Sequence, residues 1–168
     1  FLLSGLGSRH FWNSAILAPR FLISAGASGP ALLILILVAI RNYTAFPVKQ
    51  SVIRYLASVL AITLPVNFFL LGCELFKEFY TGSHAAGAYY LYFGIGQYHA
   101  LSKFIWTAIV LNLIATTIFV VPRLNADKRL LYAGCGLTVM GIWIEKGMGL
   151  VFPGFIPTPL GEIVEYAP

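Results

Sequence analysis

Charge is scarce in this chain. Only 10% of its residues are Asp, Glu, Lys or Arg, against roughly 25% in a soluble domain, so a water-soluble globule would leave most of its apolar surface bare. Cysteine is scarcer still. Cys73 and Cys135 stand alone inside apolar runs, and there is no CxxC, no CxxCH and no set of four. That pattern encodes neither c-type haem attachment nor an iron–sulfur cluster, and no metal site is expected. None of His10, His84 and His99 lies well inside an apolar segment, so paired axial ligands for a b-type haem are missing as well. The formal charge of +5 comes from single Lys and Arg residues scattered between apolar runs. Without a basic stripe interleaved with aromatics, nucleic acid is a poor partner.

What the chain has is apolar length. Hydrophobic residues make up 59% of it and the mean hydropathy is +0.84. Crossing a bilayer takes about 20 mostly apolar residues, and four segments qualify: Phe21–Ile40, Ile53–Phe76, Phe104–Val121 and Leu130–Phe152. The expected fold is an all-α integral membrane bundle of about four transmembrane helices, one membrane domain over residues 1–168. Its breaks fall at Arg41–Gln50, Thr81–Lys103 and Pro122–Arg129, and Pro153, Pro157 and Pro159 forbid a helix beyond Phe152. Phe1 opens inside an apolar run with no basic n-region before it, and the far end stops at Pro168 without a terminating motif. Both ends read as cuts in a longer polypeptide.

The short connectors and their flanks hold Arg41, Lys49, Arg54, Arg123, Lys128 and Arg129, which assigns them to the cytoplasmic side of a cell inner membrane. Small residues suggest close helix contacts at Ala25 and Gly29, at Ser24 and Ser28, and at Gly134 and Gly141. Pro65 lies inside the second span and should kink it or leave a carbonyl free. Trp12, Tyr80, Tyr89, Tyr90, Tyr92, Tyr98 and Trp106 read chiefly as an interfacial aromatic belt.

An ionisable side chain at membrane depth needs a partner or a watery cavity. Arg20, Glu74, Lys103, Glu145 and Lys146 are such groups, and all fall toward the end opposite the basic connectors, as do His10 and His99. Asn67, Leu71, Glu74 and Glu78 follow helical spacing and form a polar stripe. Two readings of Glu74 stay open: a wall for protons or quinone, or an ion pair with Arg20 or Lys103 that only holds helices together. Glu145 and Lys146 are adjacent and project about 100° apart around a helix; one is expected inside and the other at the interface, where a lysine snorkels. His10 and His99 titrate near neutrality and either serve a quinone carbonyl or are simply interfacial. The quinone or proton-path candidates are therefore His10, Arg20, Asn67, Glu74, His99, Lys103 and Glu145, and no catalytic residue is assigned. These residues alone leave three functions open: a quinone-linked subunit, a proton or ion conductor, and a passive anchor.

A resemblance narrows the choice. The run from Ser8 to Phe21, with FWNS, LAPRFL and SGPAL, is similar to the NrfD/PsrC family, the quinone-interacting membrane subunits of polysulfide reductase and related complexes. Glu74–His84, Gly141–Leu150 and Gly154–Tyr166 resemble its DsrP and HmcC branch, found in the complexes of sulfur-metabolising microbes. The resemblance implies a subunit without haem or iron–sulfur cluster of its own. Such a subunit exchanges electrons between menaquinone and an iron–sulfur protein, with cytochrome subunits as further partners in a respiratory sulfur-metabolism complex, and with proton translocation as a possible accompaniment. It also implies a larger polytopic fold, in which this chain is the C-terminal bundle and an upstream bundle carries much of the quinone pocket.

Overall fold

A computed structural model describes residues 16–44, 46–81 and 99–151. Every element among them is helical: α1 (Leu17–Tyr43), α2 (Gln50–Thr81), α3 (His99–Val120), the short α4 (Pro122–Ala126) and α5 (Lys128–Lys146), which runs into a π-helical turn at Gly147–Val151. A helix lies at each of the four expected positions: α1 and α2 run past both expected ends, α3 begins five residues early and stops one short, and α5 begins at Lys128 and gives way to the π turn after Lys146. Three stretches are long and apolar enough to cross a membrane: Leu17–Tyr43, Gln50–Lys77 and Leu101–Val120. The fourth, α5, is shorter and carries Glu145 and Lys146 in its last turn.

Side-chain contacts fix the helix directions. Arg20 at the start of α1 meets Glu74 late in α2 and Glu145 at the end of α5. Arg41 at the end of α1 meets Gln50 at the start of α2 and Tyr132 near the start of α5. Gly134 lies against Ile118 and Phe119, and Gly141 against Asn112, so α5 runs antiparallel to α3. The result is an up-and-down bundle in which α1 and α3 point one way and α2 and α5 the other.

The buried positions explain why these helices assemble. On α1 they are Leu17, Arg20, Ser24, Ala27, Ala31 and Ile34; on α2 they are Ile53, Ala57, Leu60, Leu64, Asn67, Leu71 and Glu74. Alternating steps of three and four residues keep one seam facing inward, as in left-handed helix bundles. On α3, Ile105, Ala108, Asn112, Ala115 and Phe119 follow the same rhythm, and on α5 so do Leu131, Gly134, Thr138, Gly141 and Glu145. The seam is rich in small residues, whereas Leu22, Ile62, Phe69 and Trp143 are exposed on the outside. Lipid is as apolar as a leucine side chain, so nothing drives large residues inward. Close backbone approach does the packing instead.

One expectation needs correction. Ala25 and Gly29 are exposed, and nothing lies within 4 Å of where a Gly29 side chain would start. They sit about 100° around α1 from the Ser24–Ala27–Ala31 seam, so the contact face is that of Ser24. Gly134 and Gly141 do mark close approaches, as expected. Pro65 lies inside α2, as does Pro30 inside α1, and neither ends its helix. The free carbonyl each leaves is one a bundle accommodates between packed neighbours.

Candidate functional site

The seam that packs the helices also carries the polar groups. Arg20, Asn67, Glu74, Asn112 and Glu145 all occupy positions in its three–four rhythm, so helical geometry alone turns each toward the bundle interior. At the end formed by the start of α1 and the ends of α2 and α5 they converge. The Arg20 guanidinium lies between two carboxylates: one terminal nitrogen pairs with Glu74, and the other donates to Glu145 Oε1 at 2.7 Å. Asn112 Nδ2, on α3, donates to the second Glu145 oxygen at 3.0 Å. Lys146 Nζ approaches Glu145 Oε1 at 3.3 Å and lies over the Phe21 ring, 5.2 Å from its centroid.

One cluster thus joins all four long helices. It contains two cations and two carboxylates, so it is neutral as a whole, which is how buried charge survives at membrane depth. Glu145 is its hub, with contacts from Arg20, Lys146 and Asn112, while Glu74 pairs with Arg20. Asn112 lies thirteen residues past His99, roughly 20 Å down α3, so the polar path extends from the bundle end well into the apolar span. Gly141 makes room for it: a β-carbon there would stand 2.5 Å from Asn112 Oδ1.

Apart from Glu74 Oε2 and Lys146 Nζ, which are held in ion pairs, three buried polar atoms have no hydrogen-bond partner among the described residues: Arg20 Nε, Asn67 Oδ1 and Asn112 Oδ1. One is a donor and two are acceptors. Buried polar atoms are ordinarily paired, so a donor and two acceptors left over beside a charged cluster mark a place where water or a polar ligand completes the network. A quinone carbonyl would accept from Arg20 Nε–H, and a quinol hydroxyl would donate to an asparagine oxygen.

The structure brings together Arg20, Glu74 and Glu145 from the expected set. The ion pair expected of Glu74 forms with Arg20. Lys103 is exposed and stands outside the cluster. Asn67 is buried on the same face of α2, two turns from Glu74, without joining the ion pairs. His99 is the first residue of α3; its side chain, His10, and the aromatic loop of Tyr89 to Tyr98 lie outside what is described. Glu145 and Lys146 depart from expectation, since both are buried, at 6% and 9% exposure. Glu145 takes the seam position, and the long lysine stem reaches back across Phe21 to rejoin its neighbour's carboxylate. Asn112 was not anticipated. The signal for it was a lone amide in the middle of an apolar span, whereas Asn67 stood out through its helical spacing with Glu74 and Glu78.

A family model described as polysulphide reductase, NrfD, matches residues 1–156. Comparisons with curated proteins and with solved structures each returned no match. An all-helical membrane bundle with charge buried at one end, and a family match over most of its length, place this multi-pass membrane chain in the NrfD family, whose members are quinone-interacting membrane subunits of redox complexes that work with iron–sulfur subunits.

Proposed function

We propose that this chain forms part of the menaquinone-linked subunit of a respiratory sulfur-metabolism complex in the inner membrane, of the DsrP and HmcC branch. In this role it exchanges electrons between menaquinol and an iron–sulfur partner and handles the accompanying protons. The observation that carries the reading is the neutral cluster of Arg20, Lys146, Glu74 and Glu145, with unpartnered amide oxygens beside it.

Oxidation of one quinol releases two electrons and two protons. The electrons pass to the partner's cluster, and the protons need acceptors. Arg20 between two carboxylates suits that task, because protonating either one leaves the guanidinium paired with the other and adds only a single positive charge. Glu145 is held by Arg20, Lys146 and Asn112, and Glu74, paired with Arg20, is the acceptor this reading assigns first. Asn67 and Asn112 supply acceptor oxygens that orient a hydroxyl or a water chain. Side chains from four helices hold these groups in place, so the geometry does not depend on any one loop.

The test uses the complex with the full-length chain, measuring quinol-driven reduction of the iron–sulfur partner and binding of a fluorescent quinol analogue. Glu74→Gln is expected to lower turnover roughly 100-fold while the complex still assembles. Full turnover in that variant would remove Glu74 from the proton path. The same buried polar groups would serve a proton conductor that binds no quinone. Proton flux in liposomes free of quinone, together with no binding of the analogue, would favour that second reading.

A further inference from the structure

The opposite end of the bundle has a different chemistry. Arg41, Lys49, Arg54, Arg123, Lys128 and Arg129 gather at the last turn of α1, the first turns of α2 and α5, and α4. The one acidic residue among the described residues there, Asp127, is already used: its Oδ1 accepts the Arg129 backbone N–H and caps α5. At the centre, the half-buried Arg41 donates to Gln50 Oε1 at 3.4 Å and to the Tyr132 hydroxyl at 3.1 Å. Each bond occupies an acceptor site, and the Tyr132 O–H, the Gln50 amide N–H groups and the remaining guanidinium N–H add donors.

Helical spacing extends this arrangement. Lys128 and Arg129 lie four and three residues before Tyr132, on the same side of α5, and Arg54 lies one turn after Gln50 on α2. Three helices thus present donors and positive charge around Arg41. The level in the membrane is marked by Tyr43, Phe46 and Tyr55, all exposed near the same helix ends, where aromatic side chains sit among lipid headgroups.

We propose that Arg41, Gln50, Tyr132, Lys128, Arg129 and Arg54 form a binding site for the phosphate of an anionic phospholipid headgroup. Charge complementarity identifies the occupant: a cationic, donor-rich surface at headgroup depth holds a phosphodiester of net negative charge more tightly than one whose charge a choline cation offsets. The site lies at the far end from the buried carboxylates and uses none of them, so its occupancy does not depend on quinone chemistry. A lipid held there would bridge α1, α2 and α5, which Arg41 already links through Gln50 and Tyr132.

The experiment compares the full-length chain in detergent with added phosphatidylglycerol, phosphatidylcholine of the same acyl chains, or inorganic phosphate. Native mass spectrometry counts bound lipid, and thermal unfolding reads stabilisation. Phosphatidylglycerol is expected to bind and to raise the midpoint more than phosphatidylcholine. Lys128→Gln and Arg129→Gln, both exposed and so safe for folding, should each weaken that binding about fivefold with the midpoint in phosphatidylcholine unchanged. Arg41→Gln should remove the preference. Three results overturn the proposal: equal binding of the two lipids, which would leave the patch to an acidic protein surface; an unchanged preference in the Lys128 and Arg129 variants; or the same stabilisation from inorganic phosphate alone.

Discussion

The two ends of this bundle both use arginine on α1, and they use it in opposite ways. Arg20 is buried among carboxylates it must neutralise, and its cluster carries no net charge. Arg41 is half-buried, bonds to neutral partners, and sits in a field of like charge. A guanidinium sealed from water must find anions inside the protein, while one near the surface leaves its charge available to the outside. The first is an internal device, fixed by packing. The second is a surface that solvent and lipid can read.

Breaking the internal end should cost most. Arg20→Met leaves Glu74 and Glu145 buried together without their shared cation, and removing one partner of a buried pair typically costs about 3–5 kcal/mol. The expected outcome is a large fall in the thermal midpoint of the full-length chain, recovered in part by Arg20→Met combined with Glu74→Gln and Glu145→Gln. No fall would mean that water already solvates the cluster. Gly141→Ala comes next. Its new methyl would meet Asn112 Oδ1 at 2.5 Å, and overpacking of this kind costs about 1–3 kcal/mol. Asn112→Ala in the same chain should relieve most of that loss. A double-mutant cycle on unfolding free energies would show no coupling if Asn112 simply swings aside. The internal end should also ignore salt, whereas lipid selectivity at the basic end should fade as ionic strength rises.

Much of this was legible before any coordinates, because hydrophobic length is a strong signal and four spans follow from it. The convergence of Arg20, Glu74 and Glu145 was also legible, since alternating helices bring the start of α1 to the ends of α2 and α5. What remained hidden was rotation about each helix axis. The apolar residues that face lipid and those that face the seam are equally hydrophobic, so hydrophobic periodicity does not mark the inner side. The small residues pointed at two faces, Ala25 with Gly29 and Ser24 with Ser28, and of these four only Ser24 is buried on the true seam. The polar residues held the missing phase: Asn67 and Glu74 lie seven residues apart on one seam, and Ser24 lies four after Arg20. Reading that rhythm onto α3 would have brought Asn112 in with them. Lys146 stayed unreadable for a different reason, because a stem of four carbons lets it act about 100° away from where its backbone points.

The smallest expected effect tests the other half of the comparison. Tyr132→Phe removes the hydroxyl that accepts from Arg41 at 3.1 Å and nothing else. Interhelical hydrogen bonds within a membrane protein average about 0.6 kcal/mol, so thermal unfolding in a zwitterionic lipid should move by only a degree or two. Arg41 loses one neutral partner, keeps Gln50, and has solvent at hand to replace the lost bond. The contrast with Arg20→Met is therefore the informative quantity. If Tyr132→Phe proved as damaging as Arg20→Met, Arg41 would also be sealed from water, and the basic end would be a second internal device instead of a surface open to lipid.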